Sequence, residues 1–380
     1  MKKLKIAHFV QDEKFIDSAY VQFEKVLPGG SDFYLPSRKK KADFIKKTPV
    51  RFISSYSYKN PFFMKKLSSY DFIMLHSLGT FNQQLVAHAW GKIRFVWIGM
   101  GYDYYDLIHD KLENILLDLT RSKYTVFQKE LPKDPLYKII ARKLIYKNIS
   151  KENIISKIDY FSPVLENEYS LVAMKFKCNF PKYVKWNYAM TSQIVDDEPL
   201  KKVSGDNILI GNSASFTNNH LDIFESLKGV QLNGKQIVTP LSYGDLEYAN
   251  MIEREGVNYF GSQFIPIRKF MPFKEYMEAI SKCSNVIMNH LRQQALGNVA
   301  MMLFMGAKIF LNKENPLYNH YMLNGVKVFL IDELLNNLDL LDVPLPEEDV
   351  LNNRHALKSM IGLEVALQKT RNLINVVSSH

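Results

Sequence analysis

The chain has 380 residues, 47% hydrophobic and 23% charged, with a formal net charge of +10. That length exceeds what one core usually serves, so two domains of a soluble globular protein are expected. Cys178 and Cys283 are the only cysteines, too few for a disulfide framework or a cysteine-built metal site.

No run of about 18 apolar residues is present, so no membrane-spanning helix is expected. The apolar stretch near the N-terminus is too short for a signal peptide and is broken by Gln11, Asp12 and Glu13. A cytoplasmic protein is therefore expected. The basic balance, with clusters at Arg38, Lys39, Lys40 and Lys41 and at Lys46 and Lys47, suits a phosphate-bearing substrate or an anionic membrane face. No zinc-finger spacing or aromatic-studded basic repeat is present, so nucleic acid is not an expected partner.

In chain order, residues 4–10 read as a buried strand and 15–26 as a helix. Strands follow at 32–35, 50–53, 71–78 and 94–100, with helices at 82–89 and 104–120. Residues 159–163 and 183–186 are further strands. The polar segment 196–205, with Pro199 and Gly205, reads as a linker. After it the alternation restarts. Strands are expected at 207–210, 236–240, 257–260, 285–289, 308–311 and 327–331. Helices are expected at 220–227, 245–255, 272–282, 298–305 and 316–323, and 352–377 reads as an amphipathic helical tail. Strands alternating with helices imply parallel sheets covered on both faces. The expected fold is α/β, two Rossmann-like doubly wound domains facing a cleft. The boundaries are 1–195 for the first domain, 206–345 for the second, and 346–380 for a tail packing back on the first.

Ligands in such sheets sit beyond the carboxyl ends of the strands, so the chemistry should follow them. Arg292, Gln293 and Gln294 leave the 285–289 strand, and Gly297 and Asn298 open a helix. A helix N-terminus offers unpaired N–H groups to an anion, and an arginine adds a fork suited to phosphate. Gly211, Asn212 and Ser213 end the 207–210 strand and allow close backbone approach to a ligand. Tyr243 follows the next strand and is a candidate for stacking on a nucleoside. Asn312, Glu314 and Asn315 end the strand after the Arg292 helix and could orient sugar hydroxyls. In the first half, Asp103 sits among Trp97, Tyr102, Tyr104 and Tyr105, and Asp12 follows the first strand. Either could face an acceptor as base or charge stabiliser, although Asp103 could instead cap the next helix. His76 and His290 each end a strand. No histidine pair has metal-ligand spacing, and neither a metal nor a cofactor is expected.

These motifs resemble the bacterial 4-acetamido-4,6-dideoxygalactose (Fuc4NAc) transferases, glycosyltransferase family 56. The resemblance rests on Ile208 to Ser213, Pro240 to Gly244, Arg292, Gln293 and Gln294 with Gly297, and Leu311 to Pro316, in order and at similar spacing. Trp97 and Gly101 to Tyr105 resemble the family's tryptophan–glycine–aspartate turn, with Met100 where the family has a second tryptophan. The resemblance implies a GT-B fold, a dTDP-activated deoxyamino sugar donor and a polyprenyl-diphosphate-linked acceptor at the inner face of the cytoplasmic membrane. It implies acceptor binding by the first domain, nucleotide-sugar binding by the second, and transfer without a bound metal. Arg292, Gln293, Gln294 and the amides near Gly297 would then stabilise the departing diphosphate. A nucleotide-sugar epimerase or hydrolase, or a non-catalytic nucleotide- or glycan-binding protein, remains an alternative on the residues alone.

Overall fold

Seven parallel strands build the first sheet: β1 (Ile6–Phe9), β2 (Ser31–Pro36), β3 (Val50–Ile53), β4 (Phe72–His76), β5 (Phe95–Ile98), β6 (Tyr160–Ser162) and β7 (Lys182–Tyr183). They lie in the order β3-β2-β1-β4-β5-β6-β7. Six more parallel strands build the second: β8 (Asn207–Ile210), β9 (Ile237–Pro240), β10 (Phe264–Ile267), β11 (Cys283–Met288), β12 (Lys308–Leu311) and β13 (Phe329–Leu330), in the order β10-β9-β8-β11-β12-β13. These features come from a computed structural model that describes residues 4–130, 149–176, 179–189 and 202–379. The chain divides into two compact units. One contains Met1–Ile108, Pro132–Ser192 and Ile361–His380; the other contains His109–Leu131 and Gln193–Met360.

Strands β1, β4 and β5 are buried along their whole length, as expected where helices cover both faces of a parallel sheet. Alternate residues supply the two layers. Ala7, Phe9, Ile73, Leu75 and Trp97 join one core, while Ile6, Phe72, Met74, Val96 and Ile98 join the other. Leu373 and Val377, from the helix Leu363–Ser378, complete that second core. Trp186 Nε1 donates to Thr370 Oγ1 at 2.9 Å, and Arg94 Nη1 donates to the Val377 carbonyl at 2.6 Å. Lys369 Nζ also donates to Asn187 Oδ1 at 3.1 Å and Thr370 Oγ1 to Gln22 Oε1 at 3.4 Å, so the helix is bound into the first unit by apolar packing and a set of hydrogen bonds.

Helices Pro61–Leu67, Lys151–Ile155 and Glu166–Ala173 were not expected, and three expected elements take another form. Residues 257–260 are not a strand but the end of the helix Leu246–Phe260, whose buried Tyr248, Ala249, Ile252, Gly256 and Phe260 follow helical spacing. The strand comes after it, as β10. The single helix expected over 104–120 is three pieces, Tyr105–Ile108, a 3-10 turn Leu112–Ile115, and Asp118–Glu130. Asp222 holds the start of the last piece by accepting from the amides of Leu119 and Thr120. The tail is two helices, Glu347–Ile361 and Leu363–Ser378, separated at Gly362. Most of the expected linker, 196–201, lies outside the described residues, as does Cys178.

Candidate functional site

In the second unit the strand order reverses between β8 and β11, the position at which doubly wound sheets bind ligands. Gly211 leaves β8 at φ +71°, where a side chain is strained, and a Cβ there would lie 2.4 Å from His220 Nε2. Asn218 organises the loop that follows. Its Nδ2 donates to the carbonyls of Ser213 (2.9 Å) and Ser215 (3.1 Å), and its Oδ1 accepts from the Asn212 amide (2.9 Å). His290 Nε2 lies 2.8 Å from the same Oδ1. An amide oxygen cannot donate, so Nε2 carries the proton and Nδ1 is a bare acceptor. That Nδ1 is buried without a partner. Burial, with smaller effects from Arg292 and His220, holds the His290 pKa well below the usual range.

The turn after β11 closes on this loop. Gln294 Nε2 donates to Asn212 Oδ1 at 3.0 Å, and Gln294 Oε1 accepts from Thr217 Oγ1 at 2.6 Å. Gln293 is buried, and the half-buried Arg292 donates to its carbonyl. Ala295 then adopts φ +59°, a left-handed geometry that costs an alanine about 1 kcal/mol. It turns the chain into the helix Leu296–Met305. The first-turn N–H groups of Leu296, Gly297 and Asn298 have no acceptor within the helix. A Cβ on Gly297 would touch nothing within 4 Å, so the first turn is open above this glycine.

Asn312 joins the third loop to the other two. Its Nδ2 donates to Asn289 Oδ1 (2.9 Å), and Asn289 Nδ2 reaches the Asn219 carbonyl (3.4 Å). Asn315 caps the helix Pro316–Leu323 through Oδ1, while its buried Nδ2 has no partner. Glu314 is exposed. Tyr243 is 78% exposed; only its carbonyl is tied down, by the Ala214 amide at 2.7 Å. Gly211, Asn212, Ser213, Gln293, Gln294, Asn312 and Asn315 therefore belong to one connected polar edge, and Tyr243 stands out from it.

In the first unit the order reverses between β1 and β4. Gln11 Nε2 donates to Ser77 Oγ across that point (3.1 Å) and Tyr102 OH reaches Gln11 Oε1 (3.3 Å). Asp103 is buried. Its carboxylate accepts from the Leu78 amide (2.7 Å), Trp97 Nε1 (2.8 Å) and the Met100 amide (2.8 Å). Burial raises its pKa against those hydrogen bonds. It braces two turns and does not cap the next helix. Asp12 accepts from the amides of Asp43, Phe44 and Ile45. Partial burial raises its pKa, but these amides outweigh that and leave it lowered. Both carboxylates are thus committed to their own backbone. Glu13, beside them, is half-buried with its pKa raised, chiefly by burial and slightly by Asp12. Trp97, Tyr104 and Tyr105 are buried, and only Tyr102 of that aromatic group is exposed.

Sequence reasoning missed one run of residues outright and, for His76, missed its partner His8. Asn218, Asn219 and His220 form the run that builds the second-unit loop. His8 pairs with His76 at 3.0 Å, and His76 with Tyr188 OH at 2.7 Å, while His8 also meets Ser31 Oγ at 3.1 Å. The consecutive polar residues after Thr217 were a usable signal; His8, inside an apolar strand, was not. Among the described residues no group of three or more His, Cys, Asp or Glu side chains could hold a metal ion.

Two parallel α/β units, each with a polar edge at its reversal point, define a GT-B protein. Solved structures agree over nearly whole chains. A glycosyltransferase from Rickettsia africae ESF-5 has a TM-score of 0.65 at 13% identity, covering 99% of each chain. Anabaena HepE, in complex with UDP and glucose, has 0.64 at 11%, covering 99% of this chain and 100% of the other. Sucrose-phosphate synthase from Thermosynechococcus elongatus has 0.61 at 11%, with the same coverage. At such identities the likeness is one of fold. Residues 175–344, slightly less than half the chain, match the family described as 4-alpha-L-fucosyltransferase, glycosyl transferase group 56. The protein is a glycosyltransferase, and that segment carries the group 56 character implied by its motifs.

Proposed function

We propose that the protein transfers a deoxyamino sugar, of the Fuc4NAc type, from a dTDP-sugar to a lipid-linked or other cell-surface glycan acceptor at the cytoplasmic face of a membrane. One observation carries the donor half of this reading. At the β8/β11 reversal, the glycine turn at Gly211 and the Arg292–helix turn are hydrogen-bonded together through Gln294 and Asn212. That edge offers a guanidinium and open helix amides, the groups that neutralise a leaving diphosphate. Asn212, Ser213 and Gln293 would support the phosphates, Asn312, Glu314 and Asn315 the sugar, and Tyr243 the nucleoside. Asp103 and Asp12 would shape the acceptor edge, with Glu13 as the carboxylate left to take the acceptor proton.

A thermal-unfolding panel of dTDP, UDP and GDP tests the reading. UDP belongs in it because Anabaena HepE was solved with UDP. A nucleotide at about 100 times its Kd should add roughly 2.7 kcal/mol, with dTDP giving the largest shift. Arg292→Ala should lower turnover by about 10²–10³-fold, as removal of one charge-stabilising donor does. Absence of stabilisation by all three nucleotides, or near-normal turnover in the variant, would overturn the assignment.

A further inference from the structure

Between residues 38 and 66 the sequence holds ten Lys or Arg and a single acid, Asp43, a net +9 against +10 for the whole chain. The remaining residues are almost neutral, so the basic character of this protein is the property of one segment. All ten cations are exposed: Arg38, Lys39, Lys40, Lys41, Lys46, Lys47, Arg51, Lys59, Lys65 and Lys66.

The fold sets them around the outer edge of the first sheet, on both of its faces: the loop 43–48 packs through Ile45 on one face, and the helix Pro61–Leu67 through Met64 and Leu67 on the other. Strand β3, which carries Arg51, is the outer strand of its sheet. Arg51 and Lys66 both lie over the Tyr34 ring, at 6.0 and 5.6 Å. Arg38 reaches Tyr56 OH, and Lys59 lies over the Tyr56 ring at 5.8 Å. The loop 43–48 is pinned from inside. Asp12 takes the amides of Asp43, Phe44 and Ile45, and Asp17 takes those of Lys46, Lys47 and Thr48. Two nearby carboxylates are thereby turned to the backbone, while Phe44, Lys46 and Lys47 stay exposed. The other acids at hand are paired: Asp43 with Lys41 at 3.2 Å, and Asp32 with Arg51 at 2.7 Å. Large apolar rings stand among the cations, with Phe62 82% exposed and Phe44 52%. Phe62 lies on the helix Pro61–Leu67, which ends in Lys65 and Lys66.

We infer that residues 38–66 dock the protein on an anionic lipid bilayer. Eight of the ten cations are lysines, flexible point charges suited to a diffuse negative surface. None is buried, and only Arg38 and Lys40 of the ten line the hollow formed with Ser37, Ser54, Ser55 and Tyr56, so the other eight have no share in that place for a discrete phosphate. Exposed phenyl rings beside lysines match the headgroup–acyl boundary, where apolar side chains sink and ammonium groups remain in water. The inference requires no particular sugar or nucleotide, and its test involves neither.

Full-length protein is sedimented with vesicles of phosphatidylcholine alone or mixed equally with phosphatidylglycerol, at roughly 0.05 M and 0.5 M salt. Binding should occur only to the anionic vesicles and weaken at high salt. The triple variant Lys39→Glu, Lys40→Glu, Lys41→Glu should lower the partition coefficient at least about tenfold, and Phe62→Ser severalfold. Both variants should keep the parent's unfolding midpoint and nucleotide response. Equal binding to neutral vesicles, unchanged binding of the triple variant, or displacement from vesicles by stoichiometric RNA would overturn it. Because the nucleotide response is read separately, failure of docking is distinguishable from failure of the donor assignment.

Discussion

Asn218 is the residue on which the second-unit edge depends, because one amide satisfies three loop groups and orients His290. Asn218→Ala would leave the Asn212 amide and the His290 Nε2 proton without their acceptor. Each buried orphan costs about 1–3 kcal/mol, so urea unfolding should show a loss of that order, and the nucleotide response should weaken. Gly211→Ala combines left-handed strain with a Cβ 2.4 Å from His220 Nε2, and a loss of roughly 2–3 kcal/mol is expected. A change within about 0.5 kcal/mol in either variant, typical of a surface site, would show that the loop does not depend on these contacts. For Glu13, the expectation is kinetic. Glu13→Gln should cut turnover by about 10²–10⁴-fold while leaving nucleotide binding intact, and parent activity should fall as pH drops through its raised pKa. Unchanged turnover would move the proton-accepting role elsewhere. Much of this edge was legible, since Gly211, Arg292 and Asn312 each follow a strand. The roles of the acids were not. Whether a carboxylate faces a ligand or its own amides depends on loop closure, as with Asp12 and the 43–45 turn, and spacing does not encode that.

Among the elements, the helix Leu363–Ser378 is the furthest in sequence from the core it completes. Leu373 is fully buried in it, so Leu373→Ala should cost about 2–5 kcal/mol, the range for a leucine truncated in a packed core. Trp186→Phe should cost less, since it keeps most of the ring's packing and leaves only Thr370 without its donor. Chemical denaturation of both variants checks the order, and the reverse order would mean that the Trp186–Thr370 hydrogen bond, not apolar packing, holds the helix. The apolar face of this tail was visible in the sequence. The strands were visible too, because parallel strands covered on both faces read as unbroken apolar runs. The misreadings have local causes. Val257 to Phe260 look strand-like as β-branched and aromatic residues, yet Gly256 and Phe260 continue the helical spacing of Tyr248 and Ile252. The true strand, β10, was hidden by Pro266, tolerated because β10 is the outer strand of its sheet. The break in the 104–120 helix follows from capping by Asp222, about a hundred residues away.

At the scale of the molecule, four histidines among the described residues are buried and held neutral, His8 and His76 in one unit and His220 and His290 in the other. Burial lowers all four pKa values, to about 3 for His76 and His220; for His8 the charge of His76 adds to it. In the unfolded chain each would take a proton near pH 6.5. Below that pH the unfolded state binds more protons than the folded state, so stability is complete above about 6.5 and declines as pH falls. For His76 and His220 the decline ends only when the folded state also protonates, near pH 3. Between pH 7 and pH 5 these two should each remove on the order of 1–2 kcal/mol. Glu13 opposes this weakly, since its raised pKa favours the folded state in acid, while Asp12 and Asp17, with lowered values, add their losses only below about pH 4. Urea unfolding should therefore give a markedly lower midpoint at pH 5 than at pH 7. The assignment can be read without mutation, because ring signals of His76 and His220 should not titrate in the folded protein between about pH 7.5 and 5. Midpoints near 6.5 for those rings would show that the buried sites admit the charged form, and the acid lability would then have to come from the carboxylates.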